Sequence, residues 1–431
     1  MLVYILLLLV FGVSGLLING VSLKGNTAVK TCCQIRTDDN KTAKKMICIL
    51  SALVLIIIAS CRANSVGYDT INYEDYFKFK QIYPNNKSFE PIYEFINYIV
   101  VRLNLPFNFV LLICSSITII SFAVVIYKYS TNVSFSWFLF VAIGFFGNTF
   151  NAVRQYLAAA VFLFSLKYIL NGKFIPYLVC CVVAFYFHSS AIILFPMYFI
   201  RYFKLNKKTI GVSLCLTVLL GVFLEPIIKL VSLFTNTSYY ERYFVTKILW
   251  EPIKLYYVLY SIGMVLVFIM FYVMRNKNKT ASNEQNKIFD IFLILFYICV
   301  CIRTLGTFSH LFSLVNRFNI YFFFSIIFII PYIVNDIKVE ARDVVMGIIL
   351  VLASVYNLVS ALVRKTNGVY PYKFVWNNTY LDIVCLGIIC VLCAMLLVQS
   401  FRLNEYYEVN RNVFKNINYK VNINNKRLSN H

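Results

Sequence analysis

Residues 107–127 read FNFVLLICSSITIISFAVVIY, 21 consecutive positions without a charged side chain. At 1.5 Å of rise per residue, about 20 apolar residues cross the hydrocarbon core of a bilayer. Lipid offers the backbone no hydrogen-bond partner, so a lone apolar run of this length must satisfy itself as a helix. Comparable runs lie on both sides, near 3–19, 46–61, 134–150, 154–170, 174–187, 189–202, 209–234, 254–274, 288–305, 311–333, 343–363 and 381–401. Period-two alternation is absent, which argues against a barrel. The sequence therefore predicts an all-α polytopic transmembrane bundle of about 13 spans, within 12–14. The pair 174–187 and 189–202 is read as two short spans or one re-entrant hairpin.

Composition agrees. Hydrophobic residues make up 60% of the 431, and only 13% are charged. Lys and Arg number 40 against 18 Asp and Glu, for a net charge of +22. The cations fall in short loops between apolar runs rather than on one polar face. That arrangement excludes a nucleic-acid partner and makes the lipid bilayer the first partner. With the N-terminus outside and the C-terminus in the cytoplasm, the inside segments hold roughly twice the Lys and Arg of outside segments of equal total length. The outer segments of useful size are then 62–106, 235–253 and 364–380. Residues 1–401 form one transmembrane domain, and the basic, Asn-rich stretch 402–431 is a disordered cytoplasmic tail.

The 13 cysteines lie mostly in or beside apolar runs and read as small packing residues, not as a disulfide framework. His188, His310 and His431 are too far apart for a local metal motif, and no phosphate-cradling glycine loop appears. No metal and no cofactor are expected.

Polar residues concentrate at the predicted outer side. The first outer segment carries Arg62, Asp69, Tyr73, Glu74 and Glu90, a mixture suited to sugar hydroxyls. Asn148-Thr149-Phe150-Asn151-Ala152-Val153-Arg154-Gln155 follows, in which helical spacing puts Asn151, Arg154, Gln155 and Ala158 on one face. An Arg between two apolar runs is expensive near lipid and is a functional candidate by default; its fork suits phosphate oxygens. Snorkelling to headgroups is the competing account. His188, in Phe187-His188-Ser189-Ser190-Ala191, lies at an outer boundary where an imidazole could take a proton from a hydroxyl. A packing or hydrogen-bonding role is the plainer alternative. Arg303 and His310 flank a short turn. If 311–333 is one helix, His310, Ser313 and Arg317 share a stripe, with Arg317 about two turns deep and in need of a partner.

The order Gly67-x-Asp69 with Tyr73, then Glu90-Pro91, Asn151-x-x-Arg154-Gln155 with Ala158, His188-x-Ser190-Ala191, and an Arg in a late span resembles the EpsG-like, Wzy-type polysaccharide polymerases. The resemblance covers roughly residues 46–335. Ile92 stands where Gly follows Glu-Pro in the family, and Tyr68 where Thr follows the Gly. The resemblance implies a glycosyltransferase of the bacterial plasma (inner) membrane. It would join oligosaccharide repeat units carried on undecaprenyl pyrophosphate into O-antigen of lipopolysaccharide, capsule or exopolysaccharide, using a lipid-linked donor and a lipid-linked acceptor. A chain-length regulator is a further partner that it implies.

The chemistry then needs a base for the acceptor hydroxyl and cations for the departing pyrophosphate. Arg154 and Arg317 are assigned to the pyrophosphate, with Arg303 in reserve. The base is sought among His188, Asp69 and Glu90, with His188 preferred because an imidazole titrates near neutrality. Tyr73, Asn151, Gln155 and His310 are assigned to sugar. The rival readings are a related lipid-linked glycosyltransferase or ligase, a lipid-linked oligosaccharide flippase, and an O-acyltransferase. A flippase would want charges through both leaflets, and an O-acyltransferase a His near the inner side.

Overall fold

The computed structural model of the chain describes residues 2–18, 34–234, 252–277, 283–309, 311–337, 339–363, 365–376 and 378–428. His310 and residues 235–251 of the outer segment 235–253 lie outside the described residues. In chain order the helices are α1 (Leu2–Leu17), α2 (Gln34–Ser60), α3 (Thr70–Ile82), α4 (Pro91–Arg102), α5 (Asn108–Tyr129), α6 (Val133–Ala142), α7 (Phe145–Asn148), α8 (Val153–Asn171) and α9 (Phe174–Phe187). A 3₁₀ stretch, Ser189–Tyr202, leads to α10 (Lys207–Phe234), α11 (Leu255–Lys277), α12 (Asn283–Phe308) and α13 (Phe312–Asn316). Two 3₁₀ turns, Arg317–Tyr321 and Phe323–Ser325, precede α14 (Ile326–Asp336), α15 (Val339–Leu362) and α16 (Thr379–Leu428).

The all-helical membrane architecture is as the apolar runs predict, and the chain is a multi-pass membrane protein. Among the described residues nine helical stretches are long and apolar enough to cross a membrane, and the apolar helices at 3–17, 133–142 and 174–187 are shorter. Hydropathy registers how apolar a run is but not where it bends. The segment 62–106, expected outside, is itself built of α3 and α4. The helix α16 continues through the stretch for which disorder was expected, to Leu428; a helix already nucleated in an apolar run adds one hydrogen bond per residue.

The chain divides into two compact units. The first comprises Met1–Lys87, Phe95–Val153 and Val334–His431. Here α2 packs on α5 and α16, and α1 packs on α6 and α16. All ten residues of α6 are buried, including Trp137 and Phe140. Apolar on every side, it behaves as a core helix. Its start is set by Asn132, whose side chain accepts from the Phe135 amide at 3.0 Å and donates to the Gly15 carbonyl at 2.9 Å. Its end comes at Gly144, which takes the left-handed conformation (φ 96°). Asn357 of α15 donates to the orphaned carbonyls of Val141 and Ala142 at 3.0 and 3.1 Å. The run 134–150 is thus a broken helix rather than a continuous one, and an asparagine from another helix satisfies the backbone that the break frees. The Ser14 hydroxyl, 2.6 Å from Ser134 and 2.5 Å from Ser400, ties α1, α6 and α16 together in the manner of polar contacts between membrane helices.

The second unit comprises Ser88–Glu94 and Arg154–Ile333. The helices α10 and α11 pack on α12, and the 3₁₀ stretch Ser189–Tyr202 packs on α9. A 3₁₀ helix rises about 2 Å per residue, so these 14 residues cover roughly 28 Å, close to a hydrocarbon core. Arg275 of α11 clasps Asp290 of α12 through two hydrogen bonds of 2.8 and 3.1 Å. Phe292 of α12 stacks on Phe328 of α14 at 4.3 Å. The expected helix 311–333 is divided among α13, the two 3₁₀ turns and α14. Arg317 therefore opens a 3₁₀ turn at the head of the span Arg317–Asp336 and is exposed, instead of lying two turns deep.

Candidate functional site

In the second unit Glu90 lies between an arginine and a histidine. Its placement begins with Pro91, the first residue of α4, where the missing N–H costs nothing and the fixed φ suits a helix start. The loop before it is held by Glu94, whose Oε1 accepts from the backbone amides of Ser88 and Phe89 at 2.9 and 2.8 Å. Glu94 is buried, and its carboxylate fixes the backbone one residue ahead of Glu90.

Glu90 Oε2 accepts a hydrogen bond from the Arg154 guanidinium, and Oε1 is 2.6 Å from His188 Nδ1. An ionised carboxylate only accepts, so at this distance Nδ1 carries a proton, and whenever the ring is neutral Nε2 is its accepting nitrogen. Burial alone would raise the Glu90 pKa. The His188 hydrogen bond and the Arg154 charge outweigh it, and the carboxyl is brought down to about 2. Glu90 is therefore an anion throughout the working range, suited to orienting a base rather than to being one.

Arg154 is the second residue of α8 and stacks over the Phe89 ring at 4.1 Å. The guanidinium is thus held on one edge by Glu90 and on its face by Phe89, a preorganised arrangement. The partner that an isolated arginine near lipid requires is 64 residues away in sequence. His188 sits where α9 ends and the 3₁₀ stretch begins, its backbone in an extended conformation (φ −160°, ψ 128°) between the two elements.

Gln155 joins the surrounding elements. It is buried, donating to Ser190 Oγ at 3.2 Å and to the Arg317 carbonyl at 2.9 Å. Ser190 Oγ in turn lies 2.8 Å from Tyr321 Oη. The start of α8, the residue two after His188 and the turn bearing Arg317 are thereby tied into one network. The structure brings together Glu90, Arg154, Gln155 and His188, with the Arg317 backbone attached. Arg303 engages other groups: Asn316 Oδ1 at 2.5 Å and the faces of Tyr260 and Phe312 at 4.0 and 4.3 Å.

The remaining sequence-derived residues are in the first unit. Asn151 precedes α8 instead of sharing its face, because the helix begins only at Val153. Its Oδ1 accepts from the Asp69 amide at 3.3 Å, and its Nδ2 donates to the Asn367 carbonyl at 3.0 Å. Tyr73 is buried and donates to the Asn151 carbonyl at 3.1 Å. Asp69 immediately precedes α3, its side chain makes no capping hydrogen bond, and it is half-buried. Gly67 permits this packing: its φ is 94°, and a Cβ there would meet Thr70 Oγ1 at 2.7 Å and Phe150 Cβ at 3.0 Å.

Glu94 and Tyr321 went unassigned in the sequence. A proline opening a helix with an acid in the first turn is a readable signal for Glu94. Tyr321 is one of 32 tyrosines, and nothing local sets it apart.

The family model for the EpsG family matches residues 45–374, about three quarters of the chain and every described residue of both networks. No curated protein and no solved structure matches the chain.

Proposed function

The chain belongs to the EpsG family, and from that premise we propose that it polymerises undecaprenyl-pyrophosphate-linked oligosaccharide repeat units into a surface polysaccharide at the outer face of the bacterial plasma membrane. The observation that carries this reading is the Glu90–His188 pair with Arg154 on the same carboxylate. A glycosyl transfer to a hydroxyl needs a proton acceptor beside a cation that meets the leaving phosphate.

In this reading the acceptor hydroxyl gives its proton to His188 Nε2, and Glu90 stabilises the imidazolium that results. The hydroxyl oxygen bonds to the anomeric carbon of the donor chain as the bond to pyrophosphate breaks. Arg154 places its positive charge beside the reacting groups, and the exposed Arg317 adds charge, as the lipid pyrophosphate leaves. Glu90 and Arg154 cancel in charge, so the network becomes net positive when the imidazole takes the proton. Asp69, Tyr73 and Asn151 serve the glycan, and Arg303 stands in reserve for the leaving group. A chain-length regulator completes the set of partners.

The direct test is deletion of the gene followed by electrophoresis of the surface glycan. Collapse of a ladder to single-repeat species is expected; an unaltered ladder would reject the polymerase. The orientation proposed is N-terminus outside and C-terminus in the cytoplasm, supported by the Lys/Arg distribution. Single cysteines placed in a Cys-free background test it. An impermeant reagent added outside should label 62–106 and 364–380 but not 275–287, and the reverse pattern would invert the topology.

A further inference from the structure

The break after α6 opens a cavity of about 170 Å³ inside the first unit. Its polar wall includes Tyr4, Asn148, Asn357, Ser360, Asn367 and Tyr370, and among the described residues no Asp, Glu, Lys, Arg or His lines it. Three polar atoms of this wall are buried and make no hydrogen bond to any described residue: Tyr4 Oη, Asn357 Oδ1 and Tyr370 Oη. Tyr4 is 2% exposed and Asn357 9%. Buried polar atoms of native proteins are almost always paired, and each exception calls for an explanation. Asn357 is the more telling because its Nδ2 is spent on the carbonyls of Val141 and Ala142, which fixes Oδ1 as the end left over.

From this wall we infer a binding site for one neutral sugar ring of the glycan substrate; the inference rests on the polymerase reading for the source of that sugar. A neutral wall disfavours pyrophosphate and other ions, for which it holds no countercharge. The orphaned atoms are two phenols, able to donate or accept, and one amide oxygen that accepts, a set that matches vicinal hydroxyls. Tyr4 and Tyr370 have ring centroids 4.8 Å apart and give the cavity an aromatic side on which the C–H face of a pyranose can rest. The volume is below the range of about 300–1,000 Å³ typical of sites for larger ligands, and suits a single ring. The walls come from α1, from the α6–α7 break, from α15 and from the segment after it. Gly144, whose φ of 96° favours glycine, breaks the helix here, and irregular backbone in a membrane protein is tolerated where it borders a polar cavity.

The test uses the full chain in nanodiscs, with glucose, galactose, N-acetylglucosamine and rhamnose as probes in saturation-transfer NMR. At least one of the four should give a signal that the Tyr4→Phe/Tyr370→Phe double variant weakens tenfold or more. Ala361→Leu, which puts bulk into the cavity wall, should abolish it. Glu90→Gln should leave it unchanged. Each Tyr→Phe change removes one oxygen and no packing atom; Tyr370→Phe alone is the fallback should the double variant melt early. A signal equal to wild type in the Phe and Leu variants, or none from any probe, overturns the site. The polymerase reading fails separately: sugar binding lost in the Phe variant while purified enzyme never extends a lipid-linked repeat keeps the cavity and removes the polymerase.

Discussion

Replacing Glu90 with Gln should lower polymerisation by roughly 10³–10⁴, the scale on which changing the orienting carboxylate of a Ser-His-Asp triad to an amide acts. The change is nearly isosteric and breaks three functions at once. The amide has no charge to stabilise the imidazolium, and it no longer dictates that His188 Nδ1 carries the proton. Arg154 loses its counterion on the same side chain. Glu90→Asp should not rescue, since a side chain one methylene shorter cannot span both partners. Membrane abundance should stay near wild type. The measurement is single-turnover extension of a lipid-linked repeat, and a Gln variant with at least a tenth of normal turnover would reduce Glu90 to a tether for Arg154. Stability has its own signature. The folded carboxyl titrates near 2, below its unfolded value of about 4.3. The wild-type charge therefore stabilises at neutral pH, and this contribution disappears as pH falls through about 4 to 2. The melting-temperature gap between wild type and Glu90→Gln should accordingly be full at pH 7 and shrink toward pH 2.

His188→Ala should lower turnover by roughly 10²–10⁴, the usual contribution of a positioned general base. Donor binding should survive, because Arg154 and Arg317 remain. His188→Gln should not restore the rate: an amide can still hydrogen-bond Glu90, but it cannot take a proton. The pH profile separates this base from its neighbour. With Glu90 titrating near 2, an acid limb above pH 4 in the wild-type rate belongs to another group, and its disappearance in His188→Gln assigns it to His188. A Gln variant with near-normal rate would leave His188 as a positioning residue and move the search for the base to Asp69, with Asp69→Asn as the parallel measurement.

The sequence by itself determined the membrane class, the helical architecture and the family. Each rests on local facts: the length of an apolar run, the placement of cations beside it, and short motifs read in order. It also supplied the residues of the Glu90 network one at a time, since a Glu-Pro step, an Arg flanked by apolar runs and a His at a helix end are each unusual in place. What only the tertiary structure decided is who meets whom. Arg154 looked like an arginine without an acid because its acid is 64 positions away, and no periodicity encodes a contact at that separation. Gln155, assigned to sugar from its spacing, is buried as the joint between Ser190 and the Arg317 carbonyl. Where a run breaks is hidden for the same reason. A broken helix and a continuous one have equal hydropathy, and α6 ends at Ala142 because Asn357, more than 200 residues later, satisfies the carbonyls that the break at Gly144 exposes.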